Sequence, residues 1–147
     1  MTRVALSALL LSASLFVAAC GGSTTTSPTT TTVTPTTEFF SGTLSPKGST
    51  FYSFTAGTTG ALSVTLASTT TTKIGPALAA KLTIGLGAPS GFGCAVTSSV
   101  DATPGLSAQL SNSSLTADSS GSIYCIRVSD PGQLTSDVLF VIRIVHT

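Results

Sequence analysis

Residues 138–145 read VLFVIRIV, and residues 62–66 read LSVTL. In LSVTL the apolar side chains alternate with polar ones, which is the two-residue period of a β-strand with one buried face. The stretch VLFVIRIV is apolar on both faces apart from Arg143, which is typical of a strand in the middle of a sheet. These two stretches predict a β-sheet protein whose last strand is central.

The same kind of pattern recurs along the rest of the chain, with turn sequences between the apolar runs. Short strands at intervals of about 8–12 residues are typical of an all-β sandwich or barrel. Residues 74–81 are also compatible with one helical turn. We therefore predict a single antiparallel β-sandwich over residues 38–147. Its predicted strands centre on residues 39–44, 50–55, 62–66, 82–86, 94–96, 106–110, 123–129 and 138–145.

The charge content excludes one class of function. The 147 residues include 6 Lys and Arg, 5 Asp and Glu and one His, so 7% are charged and the net charge is +1. An ordinary soluble domain has about 25% charged residues. Proteins that bind nucleic acid by neutralising its phosphates need a basic patch, so we expect no nucleic-acid partner.

The N-terminal segment contains an apolar run that is followed closely by a cysteine. Arg3 precedes an apolar run over residues 4–16, which is shorter than the roughly 20 residues of a membrane-spanning helix. Residues 17–20 then read VAAC, which resembles the lipobox that the lipoprotein signal peptidase cuts. The resemblance implies that residues 1–19 form a helical signal peptide and that Cys20 carries a lipid anchor in the membrane. The alternatives are an ordinary signal peptide with an incidental cysteine, or a short core helix.

The segment after the signal peptide has the composition of a tether. Residues 21–37 read GGSTTTSPTTTTVTPTT, with no charge and a single aliphatic residue. Such a segment cannot bury enough apolar surface to offset the entropy lost on ordering, so we predict a disordered linker over residues 20–37. Lipoproteins that are retained in the inner membrane carry Asp directly after the lipidated cysteine, whereas this chain has Gly21 there. The resemblance to lipoproteins therefore implies that the protein is located in the outer membrane of a bacterial cell envelope.

Both ends of the predicted sandwich contain short strand motifs. These are residues 40–44 (FSGTL), 52–54 (YSF) and 60–66 (GALSVTL) near the start and residues 124–128 (YCIRV) near the end. The first three resemble the opening strand motifs of bacterial pre-peptidase C-terminal-type domains, and the last is similar to a late strand of that family. Residues 67–120 depart from the family pattern. The resemblance implies a jelly-roll-like sandwich that serves as an appended secretion, folding or adhesion module.

Cys94 and Cys125 remain once Cys20 is assigned to the lipid. Two cysteines in an exported domain are candidates for a disulfide, and both lie in or beside predicted strands. The alternatives are free thiols, a thiol nucleophile or a metal site. A nucleophile needs a nearby base, and the one histidine, His146, is expected on a frayed strand end next to the C-terminus. Two cysteines and one histidine do not form a zinc-binding pattern, so we expect no metal.

The remaining residues suggest no catalytic set, and we expect neither catalytic residues nor a cofactor. Asp118 and Asp130 lie in turn sequences, where Asp caps its own backbone. The glycine-rich residues 85–93 do not precede a helix, so they are not a phosphate-binding loop. Arg127 and Arg143 are expected on one face beside an acid, in a structural role. Phe92 is the best candidate for an exposed aromatic, although burial in the core or under a loop is the simpler expectation.

These features predict a non-enzymatic, membrane-anchored lipoprotein that displays a β-sandwich as a structural or interaction module, with an envelope protein or glycan as the possible partner. One alternative is a module that binds glycan or another envelope polymer through the loops around Phe92. A more remote alternative is a small secreted hydrolase, which requires His146 to fold against an Asp and a Ser in one cleft.

Overall fold

The computed structural model describes residues 32–71, 76–105, 109–118 and 120–147. The predicted signal peptide, Cys20 and most of the predicted tether lie outside the described residues. In the described part, every regular element is a strand. The eight strands are β1 (Thr36–Leu44), β2 (Ser49–Ala56), β3 (Gly60–Thr70), β4 (Leu82–Ser90), β5 (Gly93–Ala102), β6 (Gln109–Leu115), β7 (Ser122–Ser129) and β8 (Val138–His146).

The strands form two four-stranded antiparallel sheets packed as a sandwich. The first sheet has the order β1-β8-β3-β6 and the second sheet has the order β2-β7-β4-β5. The first strand therefore pairs with the last, the second with the seventh, the third with the sixth and the fourth with the fifth. This is the jelly-roll arrangement of two Greek keys. The predicted antiparallel sandwich is confirmed, and β8 is central as predicted.

The core between the sheets is built by the alternating residues seen in the sequence. In β3 the side chains of Leu62, Val64 and Leu66 are buried, and in β8 Ile142 and Ile144 face them from the neighbouring strand. The second sheet contributes the opposite wall of the same core through Leu82, Ile84, Leu86, Ile126 and Val128. The two-residue period places the polar partners of these residues on the outer faces.

The strand register shows which strand ends lie together. Thr36, where β1 begins, pairs with His146, where β8 ends. In the second sheet Ala56, at the end of β2, pairs with Ser122, at the start of β7. Residues 57–59 join β2 to β3, so these positions share one end of the sandwich. We call it the tether end, because the predicted tether enters the domain there.

The segment before β4 is extended. Ala77 forms a β-bridge with Thr70, and the Leu78 N–H donates to the Thr69 carbonyl oxygen at 2.8 Å. The buried Thr69 hydroxyl donates to the Leu78 carbonyl oxygen and accepts from the Ala80 N–H. Hydrogen bonds to β3 thus replace those of a helical turn. Residues 76–81 form no helical turn, so that part of the expectation is wrong. The remaining residues of that expectation, 74 and 75, lie outside the described residues.

The connection from β7 to β8 is organised by Asp130. Its carboxylate accepts hydrogen bonds from the backbone N–H groups of Gly132, Gln133, Leu134 and Lys47, at 2.9, 2.8, 3.2 and 2.8 Å. Partial desolvation raises the pKa of Asp130, but these backbone hydrogen bonds outweigh it and hold the pKa below its ordinary value. The turn role predicted for Asp130 is confirmed.

The Asp130→Ala variant should have a thermal midpoint several degrees below that of the wild type near neutral pH, because four backbone donors lose their acceptor. Since the folded-state pKa is lowered, this stabilisation is present above the unfolded-state pKa of about 4 and is lost as the pH falls through the folded-state value. Thermal unfolding followed by circular dichroism checks this at both acidic and neutral pH. The exposed Asp137, replaced by alanine, is the control. If the thermal midpoint of the Asp130→Ala variant stayed below that of the wild type by the same amount down to acidic pH, the ionised Asp130 carboxylate would not be the source of the stabilisation.

Candidate functional site

Cys94 and Cys125 form a disulfide bond with a Cα–Cα distance of 5.8 Å. The distance lies within the normal range for disulfides. The predicted pairing therefore appears in the structure. Cys94 lies in β5 and Cys125 in β7, and these strands are not neighbours because β4 lies between them.

The close approach of the two cysteines depends on Gly87 of β4. Strands two positions apart in a sheet are normally about 10 Å apart. Gly87 pairs with Cys125 on one side and with Val96 on the other, and the β4–β5 register shifts just before it. A Cβ atom on Gly87 would meet the Ala95 carbonyl oxygen and would lie 2.8 Å from the Val96 Cα. The backbone of β5 thus crosses over the outer face of β4 at Gly87, which brings Cys94 to Cys125.

Phe92 lies at the tip of the β4–β5 turn and is fully exposed, with a relative accessibility of 105%. The expectation that it is buried is therefore wrong. Gly91 adopts a left-handed conformation (φ 56°), and the tight turn directs the Phe92 side chain beyond the strands, where nothing packs on it. Because Cys94 is bonded to Cys125, three residues after the start of β7, the disulfide holds this turn at the tether end.

His146 is buried rather than frayed, so that expectation is also wrong. It is 3% exposed, and it pairs with Thr36 of β1 on one side and with Leu62 of β3 on the other. Its ring centroid lies 5.0 Å from that of Phe54 in the opposite sheet. Because β8 is central, even its last residue is covered by a strand on each side.

Glu38 is the polar partner of His146. The His146 Nε2 lies 2.8 Å from the Glu38 Oε1, whereas the buried Nδ1 has no hydrogen-bond partner. The two residues are separated by 108 positions in the chain, so nothing in the sequence signalled the contact. Both line a groove of about 540 Å³ at the tether end, together with hydroxyl-bearing residues that include Ser53 and Thr55.

This groove contains part of what the hydrolase alternative requires. An acid, the histidine and a serine share one cleft, although the acid is Glu38 and not an Asp. A nucleophilic hydroxyl is activated when it hydrogen-bonds to the base. Here Nε2 is occupied by Glu38, and Nδ1 accepts no hydroxyl from the described residues. The arrangement therefore lacks the contact that would activate Ser53, and the pair forms a partly buried contact between β1 and β8.

Replacing Glu38 by alanine should lower the free energy of unfolding by about 2 kcal/mol, because it leaves a buried imidazole with two unpartnered nitrogens. The His146→Phe variant should lose less than about 1 kcal/mol, since an apolar ring of similar shape packs on Phe54 and leaves no buried polar atom. Urea unfolding of the two variants checks this order. A larger loss in the His146→Phe variant would show that the imidazole has a role other than its contact with Glu38.

Phe92, the exposed ring on which the glycan alternative depends, lies apart from the polar groove of the first sheet. A groove of about 450 Å³ on the first sheet is lined by hydroxyl groups, by Leu139 and Val141, and by Phe140, whose ring is buried in the core. Phe92 belongs to the second sheet and does not line it. Sugar-binding sites stack a sugar ring on an aromatic side chain. The loops around Phe92 thus do not combine with this groove into such a site.

The charged residues of the strands do not converge on a site. Arg127 pairs with Phe51 on the outer face of the second sheet, and Arg143 pairs with Phe39 on that of the first. The expectation that both arginines share a face is wrong, because β7 and β8 belong to different sheets. Within the described ranges, no three His, Cys, Asp or Glu side chains form a group that could hold a metal ion.

Asp118 has the turn role that its sequence context predicts. Its Oδ1 accepts hydrogen bonds from the Ser120 hydroxyl at 2.8 Å and from the Ser120 N–H at 2.9 Å. These contacts lower the pKa of Asp118, with the hydroxyl as the larger cause. Asp118 is therefore committed to its own turn.

No protein-family model matches this chain, and no curated protein is significantly similar to it in sequence. In the described part of the chain there is no helix long and apolar enough to cross a bilayer.

Proposed function

We propose that this protein is a bacterial lipoprotein that is cleaved before Cys20, anchored through a lipid on that cysteine, and exposed from the outer membrane as a non-catalytic interaction module. Residues 1–19 serve as its signal peptide and residues 20–35 supply the tether, which is two residues shorter than the sequence predicted because Thr36 and Thr37 pair with β8 as the first residues of β1. The jelly-roll sandwich provides surface for a partner in the cell envelope, either a protein or a glycan.

The observation that carries the proposal is the order of three segments. The VAAC motif at residues 17–20 follows an apolar run, a Thr- and Pro-rich tract comes next, and a sandwich with its own closed core begins at Thr36. A lipid chain contributes about 0.8 kcal/mol per buried methylene, so two or more chains hold a protein on a membrane durably. The disulfide between Cys94 and Cys125 suits the oxidising conditions outside the cytoplasm.

The non-catalytic part of the proposal is supported by the tether-end groove. Its one histidine is held by Glu38 and contacts no hydroxyl that could serve as a nucleophile. The outer faces of both sheets present small polar side chains together with two exposed rings, Phe39 and Phe51, each paired in register with an arginine. Such surfaces are suited to binding a partner through contact area.

Mass spectrometry of the protein purified from bacterial membranes tests the proposal. We expect the N-terminal peptide to begin at Cys20 and to carry a diacylglyceryl group, and we expect the Cys20→Ser variant to accumulate with residues 1–19 still attached. A mature chain that begins beyond residue 20, or that begins at Cys20 without lipid, would overturn the anchor. Capture of envelope components on the lipidated protein, with detergent alone as the control, then identifies the partner.

A further inference from the structure

We propose that the tether end of the sandwich docks on the lipid bilayer and inserts the Phe92 side chain among the headgroups and upper acyl chains. The inference rests on the proposed function, since it takes the lipid on Cys20 as the primary anchor. It adds a second contact and a fixed orientation of the domain on the membrane surface.

The distribution of exposed apolar side chains points to this end. Six large hydrophobic residues are exposed in the described part of the chain, and three of them, Phe92, Ile123 and Val33, lie at the tether end. Phe92 is the most exposed, at 105%, and Ile123, near the start of β7, is 60% exposed. The remaining three are spread over both outer faces and the opposite end. Half of the exposed large apolar side chains, including the most exposed of them, therefore lie where the chain leads toward Cys20.

The charged side chains show the opposite distribution. In the described residues the end opposite the tether carries Lys47, Lys81, Asp101, Asp130 and Asp137, which lie in or beside the turns there. The tether end carries Asp118 and Glu38, which is paired with His146, and the exposed Arg143 lies one register position from Glu38. A surface with few charges loses little hydration when it meets a bilayer, because desolvating a charge is the main cost of such contact. The tether end is therefore better suited to contact with a bilayer than the opposite end of the sandwich.

The short tether strengthens a weak second contact between the domain and the membrane. Fifteen residues separate Cys20 from Thr36, so the domain stays within at most roughly 50 Å of its lipid. A second contact made under such a constraint is intramolecular, and its strength is set by the effective concentration of the tip at the surface. Phe and Leu side chains of interfacial protein segments are buried at the boundary between headgroups and acyl chains. The disulfide keeps the Phe92 turn at the tether end.

The chain contains no tryptophan, so one substitution introduces a single fluorescent reporter. The lipidated protein carrying Phe92→Trp is reconstituted into phosphatidylcholine vesicles with or without brominated acyl chains. The matched control is Phe51→Trp, which is also exposed but lies on the outer face of the second sheet. Flotation of the vesicles is measured on the same samples.

We expect the Phe92→Trp variant to emit at shorter wavelength on vesicles and to lose most of its fluorescence to the brominated lipids, while the Phe51→Trp variant changes little. Flotation with no quenching of the Phe92→Trp variant, or with equal quenching of both, overturns the docking and leaves the anchor standing. Failure to float overturns the anchor and with it the docking. A wavelength shift that appears without vesicles and grows with protein concentration indicates self-association of the tip and overturns the inference.

Discussion

The variant in which both Cys94 and Cys125 are replaced by alanine should lose about 3–4 kcal/mol of unfolding free energy. The disulfide joins residues 31 positions apart. In the chain-entropy model, closing a loop of this length lowers the entropy of the unfolded chain and raises the free energy of unfolding by that amount. This is a large part of a typical stability of about 5–15 kcal/mol. Urea unfolding of the oxidised wild type and of the double variant measures the difference.

The reduced wild type is the internal control for this prediction. It should unfold at the same urea concentration as the double alanine variant, because both lack the same bond and retain the same core. The β4–β5 turn should also become more mobile in both, because β5 is no longer held against β7. A double variant within about 1 kcal/mol of the oxidised wild type would show that the unfolded chain is restricted by something other than the disulfide.

The Gly87→Ala variant should lose about 3 kcal/mol of unfolding free energy, although the substitution adds only one methyl group. The new Cβ would meet the backbone of Ala95 and Val96, and backbone cannot move aside as the end of a side chain can. Two outcomes relieve the clash: β5 lifts off β4, or the disulfide geometry is lost. Urea unfolding gives the free energy, and thiol labelling after expression reports whether Cys94 and Cys125 still pair.

Gly93→Ala is the matched control in the same hairpin. A Cβ on Gly93 would have the Ser90 carbonyl oxygen as its nearest neighbour, at 3.8 Å, which is an ordinary contact. The control variant should therefore lose less than about 1 kcal/mol and keep its disulfide. Equal losses in the two variants would indicate that glycine is needed in this hairpin for backbone freedom, and the proposed crossing of β5 over Gly87 would then be wrong.

The features that sequence reasoning predicted are those encoded by local patterns. Alternation at residues 62–66 and 82–86 gave β3 and β4, and a run apolar on both faces gave the central strand β8. The pairing of Cys94 with Cys125 followed from the even number of cysteines left after Cys20. Asp118 and Asp130 were recognisable as turn residues because Asp accepts hydrogen bonds from the backbone that follows it.

The features that sequence reasoning missed depend on contacts between distant segments. The partner of His146 is Glu38, and only the closure of the sheet by β1 and β8 brings them together. Gly87 was visible only as an interruption of a strand, because its role depends on β5 crossing it. The exposure of Phe92 depends on the absence of neighbours around a turn, and a one-dimensional pattern does not encode that absence.

The position of β8 determines when this domain can fold. The strand lies between β1 and β3, so the first sheet has no centre until residues 138–146 have been synthesised and have returned to a partner about one hundred positions earlier. Assembly that waits for such distant pairings is slow. The first sheet of a nascent chain therefore lacks its central strand until translation reaches the last residues of β8.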